Sequence, residues 1–272
     1  MELSSGLRVA KLSDDPVASS QNAMLTASIS RMDSFTQSSN RQQGMLQVAD
    51  STLGQVVSQL TSALSLAASA GNSTLNTANL KAFADQVTGI RDQVLQLANT
   101  SYLGQYLFSG SKGDTAPFSQ DTTVSPATVT YQGDGITQNI ETPSGQQVQL
   151  NVSGADIFTA PGADVLGTLN QLIADLNNGD ATAVAADASS MTSVIANVSG
   201  QRSVIDNSLT QLTATSNYTA TQETQLKAQQ SALLSADPSQ VATDLKTAET
   251  QRSSILSVIA IVGKENLFDY LR

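Results

Sequence analysis

The residue types that usually carry chemistry are scarce in this sequence. It contains no cysteine and no histidine, which rules out thiolate nucleophiles, disulfides, zinc-type sites and imidazole acid–base catalysis. Carboxylates are what remain. The adjacent Asp14-Asp15 has the composition of a general acid–base dyad, but neighbours in sequence do not converge on one substrate from opposite sides. The run Ser13-Asp14-Asp15-Pro16 has a simpler use. Ser and Asp side chains accept the orphan N–H groups of a first helical turn, and Pro suits the first helical position because its missing donor is not needed there. These four residues are read as a helix cap and joint.

Two further groups invite a chemical reading. Gly133-Asp134-Gly135 could open a cation loop, but no spaced set of oxygen ligands follows, so it reads as a turn. Tyr102, Tyr106 and Phe108 could form an aromatic ligand box. Clustered where a helix gives way to a β-rich stretch, they read instead as domain-junction anchors. Matches to Asn-x-Ser/Thr, such as Asn99-Thr100-Ser101, are expected by chance in so Ser- and Thr-rich a chain. No catalytic residue, cofactor site or metal site is expected.

The elements around these residues explain why. Only 4% of the 272 residues are aromatic and 13% charged; Ala, Ser, Thr, Gln and Asn dominate, with Leu, Val and Ile placed periodically. That pattern suits long helices burying narrow apolar seams, and an elongated shape. A formal net charge of −10 opposes binding to nucleic acid or to an anionic membrane. No stretch reaches the roughly 18 apolar residues of a membrane span, and residues 1–30 lack the apolar core of a secretory signal.

From Val17 to Ala70 a single helix is expected, about 80 Å long at roughly 1.5 Å per residue. Leu46, Ala49, Leu53, Val56, Leu60, Ala63 and Ala67 form its seam, which extends back through polar Gln42 and Ser39 to Phe35, Met32 and Leu25. After a turn at Gly71-Asn72-Ser73, Leu80, Phe83, Val87, Ile90, Val94 and Leu97 mark an antiparallel second helix running through Asn99 to Gly110. Residues 112–163 then turn β-rich, with strands expected at Thr128–Tyr131, Ile136–Glu141 and Gln147–Val152. Helices resume with Val165 to Leu176, then Ala181 to Ser235. The last carries Met191, Ile195, Val198, Ile205, Leu209, Leu212, Leu226 and Leu233, with polar interruptions at Arg202, Ser216, Thr219, Glu223 and Gln230. Asp237-Pro238 repeats the cap device and opens a final helix with Val241, Leu245, Ala248, Ile255, Ile259 and Val262. The expected class is mainly α: an antiparallel long-helix bundle (17–111 and 164–236) with a small β insert (112–163), an N-terminal arm (1–16) and a C-terminal helix and tail (237–272).

This arrangement resembles the bacterial flagellin superfamily. Leu3-Ser4-Ser5-Gly6, Arg8-Val9 and Ser13-Asp14-Asp15-Pro16 look like its N-terminal signature, and Val198-Ser199-Gly200-Gln201-Arg202 like its returning helix. Tyr106-Leu107-Phe108-Ser109-Gly110, Pro117-Phe118, Tyr131-Gln132-Gly133-Asp134 and Leu267-Phe268-Asp269-Tyr270-Leu271 resemble the members that join hook to filament. Leu12 departs from the pattern, standing where relatives often carry Pro. The resemblance implies a non-enzymatic flagellar subunit that contacts neighbouring flagellar proteins and ring copies of itself and takes no small-molecule substrate. It also implies export through the flagellar channel, with a chaperone gripping the C-terminal helix. Val241, Leu245, Ile255, Ile259, Val262, Leu267, Phe268 and Leu271 would form the assembly and export segment. In the superfamily a further helix precedes Leu3 and pairs with the C-terminal one, so a chain shortened at its N-terminus is expected, its arm loosely held. The filament subunit itself is the nearest alternative. A coiled-coil signalling hairpin shares the heptads but not the β insert, and a carboxylate-based hydrolase is weaker still.

Overall fold

The structure, a computed structural model, describes residues 8–9, 13–71, 76–121 and 128–264. The Leu3-Ser4-Ser5-Gly6 block, Leu12, most of the Gly71-Asn72-Ser73 turn and the Leu267-Phe268-Asp269-Tyr270-Leu271 ending lie outside those residues. The described chain is mainly helical: α1 Pro16–Ala70, α2 Thr77–Ala98, α3 Gly154–Phe158, α4 Val165–Asn178, α5 Ala181–Leu234 and α6 Pro238–Lys264. Between α2 and α4 lie four antiparallel two-stranded ladders: β1 Ser101–Tyr102 with β2 Gln105–Tyr106, β3 Phe118–Asp121 with β4 Thr128–Tyr131, β5 Asn139–Glu141 with β6 Gln147–Gln149, and β7 Thr159–Ala160 with β8 Ala163–Asp164. This is the mainly α class with a small β-rich part that the sequence pattern implies.

The chain divides into two compact units, Ser34–Thr219 and Met1–Asp33 with Ala220–Arg272. In the larger, all seven seam residues from Leu46 to Ala67 are buried, and Leu53, Val56 and Leu60 are wholly so. They share one core with Val87, Val94, Leu169, Leu172, Met191, Val198 and Leu212. Each fully buried aliphatic side chain contributes about 1.5–3 kcal/mol relative to exposure. Polar pairs fix the register between α1 and α5: Arg202 Nε and Nη2 donate to Asp50 Oδ1 and Oδ2 at 2.7 and 3.1 Å, and Thr213 Oγ1 donates to Gln43 Oε1 at 3.4 Å. Positions advance along α1 as they recede along α5, so these stretches run antiparallel. Arg91 of α2, nearly buried, reaches Asn170 of α4 at 3.2 Å and Asp92 at 2.7 Å.

The second helix ends at Ala98, earlier than its expected run through Gly110. The apolar period stops at Leu97, Asn99 caps the end, and Leu103-Gly104 turn the chain back at positive φ of 51° and 84°. Turn chemistry here overrides the following apolar residues. Strands expected over Ile136–Glu141 and Gln147–Val152 shorten to β5 and β6, because the Asn151 side chain takes over part of the ladder: Gln138 N donates to Asn151 Oδ1 at 2.7 Å.

Beside the Gly179 turn between α4 and α5, buried Asp175 and Asp187 face each other, and Asp187 Oδ2 has no hydrogen-bond partner. Burial first, then the charge of Asp175 and their hydrogen bond, push the Asp187 carboxyl up from 3.8 to about 6. The folded chain therefore holds this proton more tightly than the unfolded chain. The associated stability is present at low pH and lost as pH rises through about 6. Asp187→Asn is expected to raise Tm at pH 7.5 by on the order of 2–5 °C and to flatten the rise otherwise seen between pH 7 and 5. Melting curves across that range check it.

Candidate assembly surfaces

In the smaller unit, the expected cap resolves onto one residue. Asp15 Oδ1 accepts from Val17 N at 3.1 Å and Ala18 N at 2.9 Å, making it the N-cap of α1, with Pro16 as first helical residue. Ser13 and Asp14 are exposed, and Ser13 Oγ reaches Asp14 Oδ1 at 3.4 Å. Asp15 also pairs with Arg8 at 3.1 Å. The Ala18 amide first, then the Arg8 guanidinium, hold the Asp15 carboxyl below its ordinary value. Arg8 in turn closes the far end of α5: its backbone N donates to Leu234 O at 2.8 Å and its Nη2 to Leu233 O at 3.3 Å. Arg8 thus sits at the end of α5, which favours its positive charge, and holds Asp15, whose negative charge the start of α1 favours. With Val9 buried, this part of the arm is held rather than loose.

This unit has little core of its own. Gln230 Nε2 bridges α5 to Asn22 and Thr26 of α1 at 2.7 and 2.8 Å, so polar contacts do much of the joining. Helix α6 starts at the Asp237 cap, where Ser239 N donates to Asp237 Oδ1 at 2.8 Å. Thr243, Thr247, Thr250, Ser254 and Ser257 turn their hydroxyls back onto carbonyls one turn earlier. Its polar side chains are therefore largely satisfied within the helix. Its apolar ones are not: Leu245, Ile255, Leu256, Val258, Ile259, Ile261 and Val262 all stand exposed, Val262 at 64%. At roughly 100° per residue, the six between 255 and 262 sweep about 220° of the circumference, too wide for one neighbouring helix to cover. The sequence reading found Ile255, Ile259 and Val262 but missed Leu256, Val258 and Ile261, which lie off the heptad seam. Such a helix lacks packing to protect it. Amide hydrogen exchange over Val241–Val262 is expected to be at least 100-fold faster than over Val87–Leu97, as mass spectrometry of the monomer would show.

In the larger unit, the β-rich part is fastened to the helices by an aromatic and polar knot. Asn99, the C-cap of α2, donates from Nδ2 to Phe118 O and accepts from Phe118 N, both at 2.9 Å. Phe108, Phe118 and Phe158 interlock: Phe158 meets Phe108 at 5.7 Å and Phe118 at 5.3 Å, both edge-on, and Phe118 lies 5.1 Å from Tyr131. The Tyr131 hydroxyl sits 2.9 Å from the carbonyl oxygens of Phe108 and Asp134, and burial raises its pKa. Asp134 Oδ1 accepts from Ser111 N at 2.8 Å and Ile136 N at 3.1 Å, and its pKa is lowered, chiefly by the Ser111 hydroxyl. Gly110 sits at φ +72° with Asp134 so close that a Cβ would collide with its Oδ1.

Of the three expected anchors, Phe108 alone enters the buried aromatic cluster. Tyr102 lies half-buried against Gly44 of α1, and Tyr106 is half-buried with its backbone N bonded to Gly113 O at 2.8 Å. Phe158 was missed because nothing in its surroundings is periodic. Asp134 was read as a plain turn residue, although the missing Cβ of Gly110 is what lets the Ser111 amide close on it. Among the described residues no group of three or more Asp or Glu side chains is placed to hold a metal ion, and no helix is long and apolar enough to cross a membrane.

Comparison with known proteins places these surfaces in context. Residues 1–113 match the bacterial flagellin N-terminal helical region. Flagellar hook-associated protein 3 of Salmonella typhimurium is 32% identical over 162 residues, covering 58% of this chain and 49% of that protein. Its counterpart in Escherichia coli is 35% identical over 121 residues, covering 44% of this chain and 38% of the relative. The chain thus spans half or less of the length of these relatives. A flagellar hook-associated protein from Vibrio parahaemolyticus superimposes with a TM-score of 0.73 at 21% identity, over 82% of this chain and all of that one. Over residues 1–113 this chain is thus similar to the bacterial flagellin N-terminal helical region, and its fold is that of the solved Vibrio parahaemolyticus structure.

Proposed function

We propose that this chain is a non-enzymatic structural subunit of the bacterial flagellum, joining hook to filament and seating the first filament subunits. The observation that carries the reading is α6. A helix whose 255–262 stretch is apolar over more than half its circumference and stands exposed among the described residues is built to be covered by other subunits. The two relatives of 32% and 35% identity, both named for association with the hook, indicate which assembly that is.

Several finer readings follow. Residues 237–272 enter the inner part of the assembly, including Leu267, Phe268 and Leu271. Ser13 to Pro16, with Arg8, form the joint between arm and helical column, and Tyr102, Tyr106 and Phe108 anchor the insert of residues 112–163. Neighbouring hook-associated protein, flagellin and further copies of this chain in a ring are its partners, and an export chaperone grips the apolar face of α6 on the way out. Expression in a strain lacking its own hook-associated protein 3 tests the role. The expected result is restored filaments and swimming. Cells that still end at bare hooks while shedding filament protein into the medium would contradict it.

A further inference from the structure

Among the described residues, one side chain other than glycine has positive φ: Leu103, at 51°. With Gly104 at 84° it forms the two-residue tip of the β1–β2 hairpin, both central residues on the positive-φ side as in a type I′ turn. Asn or Asp is the favoured residue at that first position, and Leu is strained there. The same Leu is 78% exposed, the highest value among the exposed large hydrophobic residues. A strained backbone is thus spent on holding an apolar side chain in water. The hairpin cannot relax away from this geometry. Leu107 N bonds Thr100 O at 3.1 Å, and Tyr102 Oη packs on α1 so closely that a Cβ on Gly44 would lie 2.5 Å from it. Strain held in place by its surroundings is a mark of function.

Beside Leu103 runs a groove of about 260 Å³ lined by Arg41, Gln42, Met45, Tyr102 and Gln105, with Arg41 its one charged residue. A complementary surface occurs on the chain itself. Where α5 meets α1, Asp206 and Arg202 of α5 and Asp50 of α1 line a notch with one negative charge in excess, and part-exposed Val204 stands beside it on α5. We propose that the Leu103 hairpin is the knob of a head-to-tail contact between copies of this chain, with Leu103 meeting Val204 and Arg41 meeting Asp206 of the next copy. The contact uses two different patches, so repetition with the right rotation closes a ring. It rests on the proposed junction role only for where the copies meet.

The absence of cysteine makes the test clean, since Leu103→Cys introduces the chain's sole thiol. Labelled there with a benzophenone maleimide and irradiated, both purified at high concentration and in flagella of complemented cells, the chain should give covalent dimers. The adduct should map within 199–206 of the second copy. No adduct above that of an Asn40→Cys control, or adducts only to a different flagellar protein, would overturn the proposal. Leu103→Asn supplies a second arm: relief of strain should raise Tm by about 2 °C, while dimer yield and incorporation fall at least 10-fold. A lower Tm, or unchanged incorporation, would count against it. Arg41→Glu should weaken the contact and Asp206→Arg restore it in the double variant. If the unsubstituted chain fails to complement yet the purified protein crosslinks as expected, the junction role fails and this contact stands.

Discussion

Phe158→Ala is expected to cost about 3–5 kcal/mol, the usual range for emptying an aromatic site in a packed core. Phe158 is fully buried and touches Phe108 and Phe118 edge-on, so its removal leaves both rings facing a void. The loss should extend to the β-rich part, because Phe118 is also the residue that Asn99 holds from the end of α2. Roughly 10 °C or more should be lost from Tm at this chain size. Phe158→Leu, which keeps most of the volume, should recover more than half of it. Denaturant unfolding of the three proteins decides the matter; an alanine variant within 1 kcal/mol of the parent would mean that the knot does not hold the insert.

The opposite profile is expected for α6. Replacing Ile255, Ile259 and Val262 together by serine removes apolar side chains that already lie in water, and Ile and Ser have similar helix propensity. Stability of the isolated chain should therefore change by less than about 0.5 kcal/mol per site. Incorporation into flagella should fall at least 100-fold, and swimming should be lost. Comparing thermal melts with the amount of chain recovered in sheared flagella separates the two effects. A variant that melts normally and still assembles would remove α6 from the interface.

Long helices were legible in the sequence because burial repeats along them. Leu46 to Ala67 and Val165 to Leu176 are apolar at every seam position, and all are buried. Cap residues were legible for a local reason, since Asp15 and Asp237 bond amides two or three residues on. The insert was legible only in outline. Its strands are short, its ladders are completed by the side chains of Asn99 and Asn151, and the three interlocked phenylalanines of its core are spread over some fifty residues of sequence. No period connects Phe108, Phe118 and Phe158. The hairpin at Leu103 was hidden for a related reason: Leu-Gly is a poor turn signal, and only the backbone geometry exposes the conflict between residue and conformation. Arg8 stood in the sequence only as part of a motif in an arm expected to be loosely held. Its role appears once α5 is seen to end beside it, 225 positions away.

A junction subunit occupies one place on the flagellum, and a direct view of that place tests the role best. The Thr142–Gly145 turn of the insert is closed by its own hydrogen bonds, Gly145 N to Thr142 O at 2.9 Å and Gln146 N to Thr142 Oγ1 at 3.0 Å, and its tip is exposed, so it tolerates a short epitope. Immunogold electron microscopy of flagella from complemented cells should then show label as a single band where hook meets filament. Label spread along the whole filament, or none on the flagellum, would contradict the account.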